Sequence, residues 1–162
     1  MKKVIFLLAV ALACFSAKAQ EQPTFSGKMN ADSIREVCSA VSGWQIDNFA
    51  KVKHNKAGWH NAALYIGMYH WAEMAEDTKA AEFLMSVGKG LKWGLLSRSY
   101  HADDICVGQM YLEMYKKHQN EKMIQPLKER AFYVASHPSD AVLSKRDPVG
   151  KSTRWSWCDA LF

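Results

Sequence analysis

The stretch Asn61-Ala-Ala-Leu-Tyr-Ile-Gly-Met-Tyr-His-Trp-Ala72 decides the fold class. Read as a helix running to about Glu76, it carries Ala62, Ala63, Leu64, Tyr65, Ile66, Met68, Tyr69, Trp71 and Ala72 nearly all the way round the cylinder. It shows none of the period-2 alternation of a half-buried strand. A helix that is apolar on all sides is buried on all sides, so it requires a shell of other elements.

Working outward, that shell is helical too. A first helix is predicted from Asn30 or Asp32 to about Val41, with a stripe of Ile34, Val37, Cys38 and Val41 and a stop at Ser42-Gly43. After the central stretch, Asp77 and Thr78 offer an N-cap for a third helix, about Lys79 to Val87. Its stripe is Ala80, Phe83, Leu84 and Val87, and Gly88 and Gly90 end it. A fourth helix begins at His101-Ala-Asp-Asp104 and runs to about Lys117, again apolar round most of its surface through Ile105, Cys106, Val107, Met110, Tyr111, Leu112, Met114 and Tyr115. The fifth, about Glu121 to Ser136, is amphipathic. It starts or kinks at Pro126, because proline lacks the N–H that a helix interior needs. A polar loop, Lys145 to Thr153, leads into a last helical stretch. Wrapped second and fourth helices beside amphipathic neighbours suit a two-layer ring of inner and outer helices; periodicity alone fits an ordinary helical bundle equally well.

The N-terminus reads as a secretory signal. Lys2 and Lys3 precede the apolar run Val4 to Phe15, and Ala17-Lys-Ala19 is an A-x-A cleavage site, so the mature chain is expected to start at Gln20. The run is too short to span a bilayer, which places the protein in the periplasm or outside the cell with no membrane anchor after cleavage. Lys2, Lys3 and Lys18 account for three units of the formal charge of +5, and no basic stripe stands out, so nucleic acid is not an expected partner. Cys14 leaves with the signal. Cys38, Cys106 and Cys158 remain, an odd number at wide spacing, read as buried thiols rather than a disulfide framework. Aromatic residues make up 12% of the chain, which points to a large core or to a cleft on which sugars stack.

Two places could carry chemistry. Arg154-Trp-Ser-Trp-Cys-Asp-Ala-Leu-Phe162 reads as the opening turns of a buried helix, with the carboxyl of Asp159 set among two tryptophans and a phenylalanine. Burial among apolar rings disfavours the charged form, raises a carboxyl pKa and makes an acid usable near neutrality; the plain alternative is a helical Asp bonding a neighbour. Asp103 and Asp104 stand in the first turn of the fourth helix, where free N–H groups and the helix dipole favour the ionised form. Asp104 is expected to hold sugar hydroxyls or an attacking water while Asp103 caps, unless both merely cap. His101 touches substrate or packs at the helix entrance. Trp59 stacks on a sugar or joins the core. Arg154 and Lys151 meet a substrate carboxylate or stay solvated. There is no His-Glu-x-x-His, no Cys/His pair at ligand spacing, no phosphate loop and no Gly-x-Ser-x-Gly, so no metal and no cofactor are expected; His101 with Asp103 and Asp104 is a weak cluster at best.

Three stretches together resemble the unsaturated glycuronyl hydrolases of glycoside hydrolase families 88 and 105, most closely the unsaturated rhamnogalacturonyl hydrolases: Trp59 to Met68, Tyr100 to Gln109, and Arg154 to Phe162. The resemblance covers about residue 30 to the end, and its last motif is the most specific. It implies an (α/α)6 barrel of six helical hairpins. Twelve helices with their loops need on the order of 200 residues or more. Residues 20–162 are therefore expected to be the N-terminal part of a single catalytic barrel, roughly its first half, truncated at the C-terminus and inactive and poorly soluble alone. The resemblance further implies hydration rather than two-carboxylate displacement. A carboxyl protonates the enol-ether double bond of a 4,5-unsaturated uronic acid at the non-reducing end of a lyase-generated rhamnogalacturonan oligosaccharide. Water adds at the other carbon, and the hemiketal opens and frees the next sugar. In that scheme Asp159 is the general acid/base with Asp104 as second carboxylate, and His101, Asp103, Trp59, Arg154 and Trp157 face the oligosaccharide. The competing readings are a non-catalytic helical carbohydrate-binding module, a decayed gene product, and a small secreted helical protein whose aromatics are plain core.

Overall fold

A computed structural model describes residues 24–140; the expected secretory signal, the expected polar loop from Lys145 and the whole Arg154–Phe162 motif, including Arg154, Trp157 and Asp159, lie outside the described residues. Among the described residues six α-helices follow one another: α1 (Ala31–Asn48), α2 (Trp59–Ala75), α3 (Thr78–Gly90), the single turn α4 (Ala102–Ile105), α5 (Gly108–His118) and α6 (Gln125–Ser136). Short 3-10 turns at Phe49–Lys51 and Glu121–Met123 follow α1 and precede α6. There is no strand among the described residues.

Local chemistry sets the helix starts. Asn30 accepts from the N–H of Ser33 at 2.9 Å and Asp77 from that of Ala80 at 3.0 Å, each satisfying a donor that the first turn leaves open. Pro126 sits at the start of α6, where its missing N–H costs nothing, so the chain begins a helix there rather than kinking one.

The helix ends differ from the sequence reading. α1 runs through Ser42-Gly43 to Asn48, because beyond the glycine Ile46 and Phe49 reach the core, with Phe49 edge-on to Phe83 at 4.9 Å between ring centres. That burial exceeds the roughly 1 kcal/mol a helical glycine costs. The side of α1 that packs is Cys38, Ser42 and Ile46, whereas Ile34 and Val41 of the expected stripe are nearly half exposed. α3 likewise continues past Gly88 to Gly90. A Cβ on Gly88 would fall 2.3 Å from the Trp93 ring, so glycine there serves close approach rather than a stop. The expected fourth helix is two pieces. At Cys106-Val107 the hydrogen-bond ladder slips to a three-residue step, Gln109 N–H to Cys106 O, where Gly108 lies against Leu127.

The core is built from Tyr65, Met68, Leu84, Trp93, Val107, Met110, Tyr111 and Met114, all buried. α2 is not enclosed on every side. Tyr65, Met68, Trp71 and Ala72 are buried, while Trp59, Ala63, Gly67, His70 and Met74 form an exposed strip. α2 and α5 run parallel: the Tyr69 hydroxyl donates to Glu113 O at 3.2 Å, and one turn on Lys117 pairs with Glu73. α3 returns antiparallel against α2, and the next connection, through Trp93 to α4, brings the chain back to start α5 beside the start of α2. Two parallel inner helices with returning helices beside them are the repeating unit of a helical-hairpin barrel.

Candidate functional site

Parallel packing of α2 and α5 has a direct consequence. The entry turns of both helices lie at the same end of the layer, so Trp59 and His60 at the start of α2 share that end with His101, Asp103 and Asp104 at α4, just ahead of α5.

Asp104 is the buried group of this end, with its side chain 3% exposed. Its carboxylate faces Arg98 twice over. The Arg98 backbone N–H donates to Oδ2 at 2.8 Å, and the guanidinium reaches both oxygens through Nε and Nη2. Burial pushes the Asp104 carboxyl up, but the Arg98 hydrogen bonds and charge outweigh it and hold the group below the usual carboxylate range. The hydrogen bond to Asp104 in turn raises Arg98. The backbone closes the same loop: Leu96 N–H donates to Asp104 O at 3.1 Å, and Arg130 of α6 donates to Leu96 O and Arg98 O at 3.0 and 3.2 Å. Asp104 therefore ties the segment Leu96–Asp104 into one rigid turn. The expected role as an open acceptor for sugar hydroxyls or water does not fit a carboxylate whose oxygens are already met by Arg98.

Asp103 does not cap. The position before α4 is His101, which makes no side-chain capping bond, and the Asp103 carboxylate stands 43% exposed. Its Oδ2 lies 3.6 Å from His101 Nδ1, too far for a hydrogen bond. His101 Nδ1 is buried with no hydrogen-bond partner among the described residues. His101 is thus half-packed, with one ring nitrogen and one neighbouring carboxylate not engaged in the fold. With Asp104 held by Arg98, His101, Asp103 and Asp104 do not converge, and no group of three His, Cys, Asp or Glu side chains among the described residues is placed to hold a metal ion.

Trp59 is 47% exposed and is not core. It stacks on His60 at 3.9 Å between ring centres, and His60 stacks on His54 at 4.0 Å with the rings 6° from parallel. The loop ahead of α2 that holds His54 is pinned from below. Asn61 Nδ2 donates to Asn55 O, the buried Tyr65 hydroxyl to Lys56 O, and Ala57 is buried. An open cleft of about 460 Å³ lies between Leu95, Pro126, Glu129, Arg130 and Tyr133. It contains neither Asp103 nor His101.

Sequence reading missed Arg98 and Arg130, which lie in or across from an irregular turn that no periodicity marks. It also missed the His54–His60 stack, although the signal was present: residues 48–72 contain no Asp or Glu, while Lys51, Lys53, His54, Lys56 and His60 crowd the front of that span.

Comparison with known proteins agrees with this architecture. Residues 35–162 match the model of Glycosyl Hydrolase Family 88. Two relatives are both named unsaturated 3S-rhamnoglycuronyl hydrolase. That of Alteromonas sp. (strain LOR) is 27% identical over 151 residues, covering 80% of this chain and 37% of the relative. That of Formosa agariphila is 30% identical over 109 residues, covering 64% of this chain and 28% of the relative. The chain spans well under half the length of either.

Proposed function

Since the chain belongs to glycosyl hydrolase family 88, we propose that it carries one part of the active site of a glycoside hydrolase that removes a 4,5-unsaturated uronic acid from a rhamnose-containing oligosaccharide left by a polysaccharide lyase. The observation that carries this reading is the parallel pairing of α2 and α5, which gathers an exposed tryptophan and an acidic turn at one end of the helical layer. Flat aromatic faces bind sugar rings, and a fixed carboxylate turn orients hydroxyls and water.

In this account Asp159 is the proton donor and later the base toward water; its sequence neighbours Trp155, Trp157, Leu161 and Phe162 supply the apolar setting that keeps a carboxyl protonated. The proton goes to the enol-ether carbon, water adds at the adjacent carbon, and opening of the hemiketal releases the next sugar with its glycosidic oxygen. Asp104, held ionised by Arg98, positions the turn. Asp103 is the carboxylate on that turn left open to meet the sugar, with the half-packed His101 ring beside it. Arg154 and Trp157 complete the contacts with the uronate and its ring. The protein acts in the periplasm or outside the cell, after loss of residues 1–19.

The unsaturated galacturonyl–rhamnose linkage of rhamnogalacturonan fragments is one candidate bond. A second, favoured by the names of both relatives, is an unsaturated 3S-rhamnoglycuronyl linkage. An ultraviolet assay on the full-length protein separates them, because hydration removes the absorbance of the conjugated double bond. Turnover of unsaturated uronyl–rhamnose disaccharides, with little on chondroitin- or heparin-derived ones, supports the reading. No loss of absorbance with any unsaturated uronide overturns it.

A further inference from the structure

We propose that the loop before α2 is a subsite for a second anionic group on the saccharide, either a sulfate ester or another uronate; this rests on the function proposed above. Lys53, His54 and Lys56 are exposed on this loop, beside His60 and Trp59. No acidic residue lies within residues 48–72 to neutralise them. Asp47, the nearest acidic residue before the loop, is paired with Lys79 of α3 at 3.1 Å. Lys56 Nζ sits 4.5 Å over the Phe49 ring, an attraction that orients the ammonium and leaves its charge available to an anion.

The loop is also pre-organised. Asn55 Oδ1 accepts from Ala57 N–H at 2.9 Å, Asn55 O accepts from Gly58 N–H, and the buried side chains Asn61 and Tyr65 fasten the two carbonyls of residues 55 and 56 from the core side. A binding loop already fixed in place loses little freedom when it is occupied. The Trp59, His60 and His54 rings are piled face to face beside the lysines, so the outer faces of the pile belong to the exposed Trp59 and His54. Rings for the sugar faces and ammonium groups for their anionic substituents are the two chemistries that a sulfated or polyuronic saccharide requires. The subsite lies at the same end of the helical layer as Asp103 and His101, so one oligosaccharide can span both.

The test compares kcat/KM of the full-length protein on three substrates. These are an unsaturated uronyl–rhamnose disaccharide, the same disaccharide with one sulfate ester on the rhamnose, and a trisaccharide ending in a further uronate. Two exposed lysines of ordinary strength predict a roughly five- to twenty-fold preference for one of the two anionic substrates, weakening as salt rises. In Lys53→Ala/Lys56→Ala that preference falls to near parity, and in Lys53→Arg/Lys56→Arg it is retained. The substrate that loses its advantage identifies sulfate or carboxylate as the natural group. A preference that survives the double alanine variant, or equal rates on all three substrates in the unaltered protein, overturns the subsite and leaves the proposed function standing. Turnover of none overturns both.

Discussion

Replacing Arg98 with alanine strands the carboxylate of Asp104. In the intact turn that carboxylate takes one backbone and three side-chain contacts from Arg98 and is 3% exposed. After the substitution only the backbone N–H remains. Breaking one side of a fully buried ion pair costs roughly 3–5 kcal/mol. Here the Arg98 side chain is 57% exposed, so water enters the vacated space and solvates part of the charge. The expected loss is therefore about 2 kcal/mol at pH 7, or a fall in melting temperature on the order of 8 °C. The dependence on pH has a fixed sign. In the unaltered chain the Asp104 carboxyl lies below its ordinary 3.8, so the stability it contributes is present above that value and fades as the pH drops through the lower, folded value. In Arg98→Ala burial dominates and the folded value rises above the ordinary one, so protonation relieves the strain as the pH falls. The two proteins should converge in urea melts followed by circular dichroism as the pH falls below about 4, and Arg98→Ala/Asp104→Asn should recover much of the loss at pH 7. A deficit equal at pH 7 and pH 3.5, or no deficit at pH 7, would refute the ionic account of this turn.

Other substitutions probe the packing. Gly108→Ala places a Cβ 2.6 Å from Leu127 Cδ1; the same melts should show a loss of about 1–3 kcal/mol, and Gly108→Ala/Leu127→Ala should lose less than the sum of its parts. Glu76 ends α2 at φ 52°, a left-handed position that favours glycine. Glu76→Gly is expected to stabilise the chain by about 0.5–1 kcal/mol, read as a rise of a few degrees in melting temperature. Asp159→Asn should lower turnover of the full-length protein by roughly 10²–10⁴-fold with the fold unchanged by circular dichroism, as removal of a general acid does.

Burial was legible in the sequence where it depends on pattern. Tyr65, Met68, Met110 and Tyr111 stand in nearly all-apolar helical stretches that predict enclosure, and they are core. Helix ends are less legible, because a glycine alone does not mark a stop: Gly43 lies in open space inside α1, which continues until Phe49 reaches the core, and Gly88 permits the close approach of Trp93. The sequence marks the acidic turn, with Asp104 as the expected acceptor and Asp103 as the expected cap, whereas the structure buries Asp104 and leaves Asp103 43% exposed and not capping. Local dipole arguments could not see that Arg98, six residues back in an irregular turn, would fold over Asp104 and leave Asp103 in the open. The basic loop before α2 was hidden by a charge count taken over the whole chain, in which acidic residues elsewhere cancel a local excess.

The most direct measurement follows the double bond and the glycosidic bond together. Full-length protein is incubated in D2O with an unsaturated uronyl–rhamnose disaccharide, while ultraviolet absorbance and free rhamnose are recorded side by side. The expected result is one-to-one loss of the band and release of rhamnose, with a single deuterium on the carbon that the proposed acid, Asp159, protonates. Rhamnose released while the conjugated band persists would mean ordinary displacement at the anomeric carbon, and would contradict hydration as the reaction of this site.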